Sequence, residues 1–323
     1  MSGKIFVLSP NARATGGVEL LHQFVSEVNK FSDLARVVYF PFSAGHEKPG
    51  AYEKYNCPAA SISEVDVIGS IVVIPETLTH LVRRFRHASV FVWWLSVDNY
   101  FGSQKLRFLV ANRLMPFSHW RVRPGSSVRH LAQSQYAVDF LASHGVNDAR
   151  LLTDYLNPDF IKAAQRVDFS KKQDIVLYNP AKGLDRTSQI LAKLPQRVRA
   201  VPLQGMTREE MVDTLGKAKV YIDFGNHPGK DRIPREAAIM GCCVVTNLRG
   251  SARNDCDVPL EGVYKIDDTS EAFAQQGAQT VMSLVDGFSA HIDRYQPYRA
   301  MIAEEHSVFA SQVRGFVADV VGG

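Results

Sequence analysis

Short apolar runs alternate with amphipathic stretches along the chain. The first half carries the runs KIFVLSP, ARVVYFP, SIVVIPE and SVFVWWLSV, each long enough for one strand. Runs that are apolar at consecutive positions are typical of a parallel sheet covered on both faces. Between the first two runs, Leu21, Phe24, Val25 and Val28 fall on one helical face. The pattern therefore predicts helices packed around a buried parallel sheet.

The same alternation starts again in the second half. It predicts strands at DIVLYNP, RAVPL, KVYIDFG and CVVTN, with helices at 186–194, 207–217 and 234–240. Thr207 and Glu210 have the spacing of a capping box, and Gly145 is placed to end an earlier helix. Two alternating halves predict an α/β protein with two doubly wound, Rossmann-like domains. The seam between them is predicted near residues 155–170.

Composition supports a folded protein and excludes some classes. The 323 residues are 46% hydrophobic and 22% charged, with a formal net charge of +4. A charge this small does not itself indicate nucleic acid, and we expect no nucleic-acid partner. The sequence has no apolar run long enough for a transmembrane helix. The apolar stretch near its start is too short for a signal peptide, so we expect none. The four cysteines have no CxxC spacing, so we expect reduced thiols rather than zinc ligands.

Candidate chemistry lies after the predicted strands, because ligands of open α/β sheets bind beyond the carboxyl ends of the strands. Gly16 and Gly17 follow the first strand and precede the first helix, where a phosphate is favoured. Lys182 and Gly183 follow the strand at 174–180. An ordinary turn for the glycine pair and an ordinary surface lysine for Lys182 remain alternatives.

The richest polar segment is HPGKDRIPREAAIMGC, directly after KVYIDFG. Pro234 is placed to start a helix and Gly241 to end it, so Glu236 is expected in the first turn. The segment also holds cationic groups and a carboxylate suited to an anionic ligand that bears hydroxyls, namely His227, Lys230, Arg232 and Glu236. Taken singly, a packed loop histidine and a carboxylate that offsets the helix dipole are competing interpretations.

These segments together resemble GT-B glycosyltransferases, in particular the large family-four retaining group. TGGVE is similar to the family's early Gly-Gly loop, and Lys182-Gly183 to its Lys-Gly pair. The family's Glu-x7-Glu signature aligns without gaps to PGKDRIPREAAIMGCCVVTNLRGS. The positions that match are Gly229, Glu236, Ala237, Gly241, Val244, Val245 and Gly250.

The resemblance implies a nucleotide-sugar donor, a saccharide or lipid-linked acceptor, and no cofactor or bound metal. It implies an acceptor-side domain at 1–158 and a donor-binding domain at 159–300. The helix at 301–323 is expected to pack back on the first domain. The implied donor-binding residues are Gly16, Gly17, Lys182, Gly183, His227, Gly229, Lys230, Arg232 and Glu236. The expected role is synthesis of a surface polysaccharide or glycolipid.

The sequence departs from the family at two positions. Pro228 stands where the first Glu of the signature holds donor-sugar hydroxyls, and Leu177 stands where an Arg precedes the phosphate-binding Lys. His227-Pro228 is similar to the His-Pro pair of inverting sialyltransferases, although retention is slightly favoured. A non-catalytic nucleotide- or glycan-binding subunit and a nucleotide-sugar epimerase of the same fold remain alternatives.

Acceptor-side chemistry is expected in the first domain. Asp98 follows the strand in SVFVWWLSV and is the first candidate general base if the enzyme inverts, with Glu19 second; otherwise Asp98 would only position the acceptor. A cap of a helix or turn is the alternative for Asp98.

A basic and aromatic region follows Asp98, since the stretch 99–138 contains no Asp or Glu. Basic side chains among aromatic ones suit an anionic membrane surface, and a basic surface over buried aromatics is the alternative. We expect a cytoplasmic protein with peripheral contact at the inner membrane face. The basic residues are Lys105, Arg107, Arg113, Arg121, Arg123 and Arg129.

Overall fold

The computed structural model describes residues 3–11, 15–42, 48–102 and 127–322. The chain forms two compact units, residues 1–154 with 307–323, and residues 155–306. Each unit has its own parallel sheet and its own buried core. The two-domain α/β architecture expected from the alternating pattern is therefore confirmed.

The first unit contains a six-stranded parallel sheet in the order β2-β1-β3-β4-β5-β6. Strands β1 to β4 coincide with the four apolar runs, and every residue of β3 is buried. The last two strands, β5 and β6, lie outside the predicted set. The strands are β1 (Ile5–Pro10), β2 (Ala35–Phe40), β3 (Ile71–Pro75), β4 (Ser89–Trp94), β5 (Arg129–Ala132) and β6 (Arg150–Leu151).

Helices connect the strands of this sheet. The first helix buries Leu21, Phe24, Val25 and Val28, the residues assigned to its apolar face. A 3-10 helix at Glu76–Arg84 follows β3 and was not predicted. The α-helices are α1 (Gly16–Val28), α2 (Val97–Gly102) and α3 (Gln135–Ser143). Gly145 follows α3 with a φ of +81°, a left-handed conformation that favours glycine and ends the helix.

The second unit contains a five-stranded parallel sheet in the order β11-β10-β9-β7-β8. All four predicted strands are present, and β10 coincides with CVVTN. The strands are β7 (Gln173–Tyr178), β8 (Arg199–Pro202), β9 (Ala218–Asp223), β10 (Cys243–Asn247) and β11 (Lys265–Ile266). The central position of β7 and β9 places the segments that follow them side by side at the carboxyl edge of the sheet.

The helices of the second unit follow the predicted order. Thr207 and Glu210 form the expected capping box at the start of α6. The helices are α4 (Pro158–Ala164), α5 (Leu184–Leu191), α6 (Arg208–Lys217), α7 (Arg232–Ile239), α8 (Phe273–Asp286), α9 (Phe288–His291) and α10 (Gln296–Val321). Helix α10 starts in the second unit and ends in the first, where the Phe316 ring contacts the rings of Phe24 and Phe91.

Helix α7 starts earlier than its sequence predicts. Its first residue is Arg232 and its N-cap is Asp231, so Pro234 is the third helical residue. Glu236 therefore lies in the second turn, and the expectation of a first-turn position was wrong. Proline fits any of the first positions of a helix, where backbone N–H groups have no intrahelical acceptor, so it marks the start only approximately.

Candidate functional site

Two segments meet at the carboxyl edge of the second sheet, the turn after β7 and the loop after β9. Gly183 has a φ of +58° and lies so close to the loop that an added Cβ would be 2.2 Å from the Phe224 carbonyl oxygen. On the other side, a Cβ on Gly225 would be 2.6 Å from the Lys182 Cβ. Real Cβ atoms do not approach this closely, so both contacts require glycine. The two glycines therefore bring Lys182 against the loop.

Lys182 forms an ion pair with Asp231, the N-cap residue of α7. Its Nζ atom lies 3.0 Å and 3.1 Å from the two carboxylate oxygens. The Lys182 side chain is 37% exposed and that of Asp231 is 19% exposed. The pair therefore lies at the surface of the site, where Lys182 is accessible to a ligand.

His227 lies behind this ion pair, between two carboxylates. Its Nδ1 atom is 3.3 Å from Asp231 Oδ2, and its Nε2 atom is 3.8 Å from Asp223 Oδ1. Asp223 also accepts hydrogen bonds from the Tyr221 hydroxyl at 2.7 Å and the Gly225 amide at 3.1 Å. The His227 side chain is only 1% exposed. The sequence predicts that His227 contacts the ligand directly, but the structure places its ring in the interior.

The charges in this cluster are mutually stabilising. Burial lowers the pKa of His227, but the Asp231 hydrogen bond and the charges of Asp223 and Asp231 outweigh burial, so that pKa lies above 6.5. Burial raises the pKa of Asp231, but His227 and Lys182 outweigh burial, so that pKa lies below 3.8. When His227 is protonated, the cluster holds two positive charges, on His227 and Lys182, and two negative charges, on Asp223 and Asp231.

The same cluster has the composition of a cation site. The ligand atoms of Asp223, His227 and Asp231 lie within 4.8 Å of one another, the one such group among the residues that the structure describes. The Lys182 ammonium, however, already contacts both Asp231 oxygens. A divalent cation there would be repelled by Lys182, so the arrangement fits a proton on His227 better than a metal.

The Lys230 side chain is buried and pairs with a carboxylate on α10. It is only 7% exposed, and its Nζ atom is 2.9 Å from Glu305 Oε1. Arg235 donates to the other oxygen of Glu305 at 2.7 Å and also donates to the backbone oxygens of Lys230 and Asp231. Lys230 and Arg235 therefore anchor the loop to α10 at Glu305.

The loop after β9 is held from a second side by the segment after β10. The Ser251 amide donates to the His227 carbonyl oxygen at 2.8 Å, and its hydroxyl donates to that of Gly229 at 2.6 Å. Gly250 has a φ of +52°, and a Cβ there would be 1.9 Å from the His227 oxygen. Gly229 and Gly250 of the family-like segment thus shape the loop.

Arg232 and Glu236 lie half-buried on the first two turns of α7, which begins beside Lys182. Glu236 follows Arg232 by four residues, about one turn of the helix. The structure therefore brings seven of the nine predicted donor-binding residues into one region of the second unit. They are Lys182, Gly183, His227, Gly229, Lys230, Arg232 and Glu236.

The predicted donor-binding residues Gly16 and Gly17 belong to the first unit, as do the acceptor-side candidates Asp98 and Glu19. Gly16 and Gly17 form the start of α1, which Thr15 caps. Glu19 accepts a hydrogen bond from the Tyr55 hydroxyl at 2.7 Å and pairs with Lys54 at 3.0 Å. Asp98 is exposed in the first turn of α2. Of these carboxylates, Asp98 is the more accessible.

Most of the basic and aromatic region lies outside the described residues. Lys105, Arg107, Arg113, Arg121 and Arg123 all fall within 103–126. Arg129 is described at the start of β5, and its guanidinium lies 4.1 Å from the centre of the Phe91 ring. No described helix combines the length and hydrophobicity needed to cross a bilayer.

Sequence reasoning missed the acidic half of the donor region. Asp223, Asp231 and Glu305 were not assigned, although each contacts a residue that was. Asp231 had a local signal, because an Asp before a helix start is a preferred N-cap. Glu305 had none, since it lies 70 residues beyond Arg235 in the chain.

The fold is that of the GT-B glycosyltransferases. Sucrose-phosphate synthase from Thermosynechococcus elongatus superimposes with a TM-score of 0.70 at 11% identity over 99% of both chains. WaaG, a glycosyltransferase involved in lipopolysaccharide biosynthesis, superimposes with a TM-score of 0.60 at 14% identity over 99% of this chain and 100% of WaaG. The E. coli trehalose-6-phosphate structure bound with UDP-2-fluoro glucose superimposes with a TM-score of 0.60 at 11% identity. The match covers 98% of this chain and 99% of that structure.

No family model matches the sequence, and neither does any curated protein. Identities this low establish the fold alone. The finer assignment to the family-four group therefore stays a prediction.

Proposed function

We propose that the protein is a glycosyltransferase that moves a sugar from a nucleotide-sugar donor to a saccharide or lipid-linked acceptor. The observation that carries this proposal is the position of Lys182, partly exposed at the carboxyl edge of the second sheet and beside the start of α7. A GT-B fold with a cation at this edge suits a ligand that carries phosphate groups. The donor is a substrate, and no cofactor is invoked.

The donor diphosphate is assigned to Lys182, Gly183 and the start of α7. Departure of a nucleoside diphosphate develops negative charge on the leaving group, and fixed cations and N–H groups stabilise that charge. Gly183 allows close approach of backbone to ligand because it has no side chain. Arg232, in the first turn of α7, supplies a second cation. Glu236 is assigned to hydroxyl groups of the donor, as the family resemblance implies.

Lys230 and His227 receive positioning roles in this proposal. Their side chains are 7% and 1% exposed, so neither presents its charge at the surface. Lys230 fixes the loop through Glu305, and His227 fixes Asp231. The expectation that Lys230 neutralises the diphosphate directly is replaced by this indirect role.

The acceptor is assigned to the first unit, with Asp98 as the group that accepts the hydroxyl proton or orients the hydroxyl. Glu19 is less suited, because Lys54 and Tyr55 already occupy its carboxylate. Retention of the anomeric configuration stays the slightly favoured stereochemical course. Synthesis of a surface polysaccharide or glycolipid is supported by the similarity to WaaG.

A second candidate function is a non-catalytic subunit that binds a nucleotide or glycan. Two observations favour it: Pro228 replaces a donor-sugar carboxylate, and Leu177 is a fully buried strand residue where the family has an Arg. An epimerase of the same fold would act on the donor without an acceptor.

One experiment separates the three functions. Thermal-shift measurements with nucleoside diphosphates and CMP first identify the base, and the matching nucleotide sugars are then incubated with and without acceptors. A transferase releases free nucleotide substantially faster with an acceptor. An epimerase converts the donor without one, and a binding subunit does neither, and either result would reject the transferase.

A further inference from the structure

The ammonium of Lys182 already has an anion bound to it from within the chain. Asp231 contacts Nζ through both oxygens, at 3.0 Å and 3.1 Å. Two oxygens of one carboxylate around an ammonium reproduce the contact that two phosphate oxygens would make. A donor phosphate and the Asp231 carboxylate therefore require the same cation.

Asp231 has a second partner, the buried His227 ring, which a ligand does not reach. His227 Nδ1 lies 3.3 Å from Asp231 Oδ2, and its ring is 1% exposed. Lys182, in contrast, is 37% exposed. When Lys182 turns to a ligand, Asp231 still keeps the imidazole as its partner. The buried Asp223 carboxylate on the far side of the ring favours the charged imidazole, because opposite charges stabilise each other.

We propose that Asp231 is an internal competitor for the donor diphosphate, which displaces it from Lys182 while His227 holds the released carboxylate. This inference rests on the proposed function and goes beyond it. No covalent bond changes, and the exchange replaces one ion pair of Lys182 by another.

The exchange would make the site selective for strongly charged anions. The binding free energy that a ligand gains at Lys182 is only the difference between its own attraction to the ammonium and the attraction of Asp231 to the same ammonium. A diphosphate has more charge than a carboxylate, so it displaces Asp231 with a net gain. A carboxylate or a singly charged phosphodiester has no such advantage.

Asp231→Asn tests this proposal because it predicts a gain of affinity. Asparagine has nearly the same shape, and the Asp231 side chain makes no capping hydrogen bond to α7, so the substitution leaves the start of the helix intact. Calorimetry with UDP, GDP and ADP on the full chain compares the wild type, Asp231→Asn and Lys182→Ala. For the diphosphate that the wild type binds, Asp231→Asn should bind about fivefold tighter, equivalent to about 1 kcal/mol for a partly exposed ion pair. Lys182→Ala should bind more weakly than the wild type.

Asp185→Asn is the matched control. Asp185 is an exposed carboxylate in the first turn of α5, three residues from Lys182, and pairs with Arg186 rather than with Lys182. Its substitution removes the same charge from the same neighbourhood. Affinity should stay within twofold of the wild type. An equal gain in both variants would mean a general field effect and would overturn the proposal.

Other outcomes separate failure of this inference from failure of the function. If Lys182→Ala weakens binding but Asp231→Asn does not tighten it, Asp231 does not compete and only the inference falls. If the wild type binds none of the diphosphates, CMP or their sugars, the proposed function is wrong, and the inference that rests on it is wrong as well. Asp231→Ser, which also caps a helix and carries no charge, replaces Asp231→Asn if that variant unfolds.

A metal at the same cluster would also overturn the proposal. Mn²⁺ alone is therefore titrated into the wild type and Asp231→Asn by calorimetry. Specific binding to the wild type that is lost in the variant would identify Asp231 as a metal ligand. The expected result is no difference between the two proteins.

Discussion

The Arg235 guanidinium and the Glu305 carboxylate, 70 residues apart in the chain, form a buried hydrogen-bonded ion pair at 2.7 Å. Their side chains are 1% and 3% exposed. Glu305 also pairs with Lys230 and accepts from the Leu156 amide. One carboxylate on α10 therefore anchors the loop after β9 and the segment that enters the second unit.

Removal of this carboxylate should destabilise the fold. Glu305→Ala removes the carboxylate that two buried cations share, and breaking a buried ion pair in this way costs about 3–5 kcal/mol. Urea unfolding measures the free energy. The neighbouring exposed Glu304→Ala is the control and should change it by less than about 0.5 kcal/mol. A similar small effect for Glu305→Ala would show that the buried pair is not a stabilising anchor.

Lys182 should account for a measurable part of donor affinity. Lys182→Ala is expected to weaken binding of the matching nucleoside diphosphate by about 1.5–3 kcal/mol, the range for a charge-assisted hydrogen bond. Calorimetry gives the value, and the exposed Lys193→Ala on the same unit is the control. Unchanged affinity in a folded Lys182→Ala protein would remove Lys182 from the donor site.

Asp98 should be needed for turnover and not for donor binding. If it is the general base, Asp98→Asn lowers the rate by about 10²–10⁴-fold while nucleotide affinity stays nearly unchanged. The rate is measured with saturating donor, and Glu19→Gln is made in parallel. Near-normal turnover of Asp98→Asn with a loss in Glu19→Gln would reverse the assignment. The anomeric configuration of the product, read by NMR, then decides between retention and inversion.

His227 should make stability depend on pH in a defined direction. Its pKa in the folded protein is raised above 6.5, because the carboxylates outweigh burial. A raised pKa contributes stability that is fully present below about pH 6.5 and is lost as pH rises through the folded pKa. His227→Gln should therefore differ most from the wild type at acidic pH and least at alkaline pH. Urea unfolding from pH 6 to about pH 9 measures the difference, and a difference that grows with pH would contradict the assignment.

Membrane association remains a prediction from the sequence, because the residues concerned lie outside the described part of the chain. Each Lys or Arg near an anionic surface contributes about 1 kcal/mol. Arg107, Arg113 and Arg121 changed together to Glu should abolish pelleting with anionic liposomes and leave nucleotide binding intact. Wild-type protein that never pellets with such liposomes would end this hypothesis.

The sequence predicted most strands of the two sheets, because the central strands are largely buried. Runs such as SIVVIPE and CVVTN must be apolar on both faces, and that requirement is visible locally. Short strands carry less of this signal, and β5, with four residues, and β6, with two, were missed. The predicted start of α7 was too late in the chain, because proline is compatible with several first-turn positions and Pro234 is the third residue of the helix.

The candidate site was only half predictable for a different reason. Cations and glycines follow a recognisable order along the chain, and that order led to the prediction of Lys182, Gly183 and His227. Which carboxylate each cation contacts depends on tertiary structure. Lys182 meets Asp231 after a separation of 49 residues, and no local pattern encodes that distance. Lys230, taken for a ligand contact, instead pairs with Glu305 in the interior.

The contact between Gly183 and Gly225 has a consequence for how this protein varies among its relatives. Each glycine leaves room for main-chain or Cβ atoms of the opposite segment, at separations that no side chain would fit. A substitution in one segment therefore cannot be absorbed by a rotamer change in the other. In homologous chains, we expect the turn after β7 and the loop after β9 to change as a matched pair or to stay as they are.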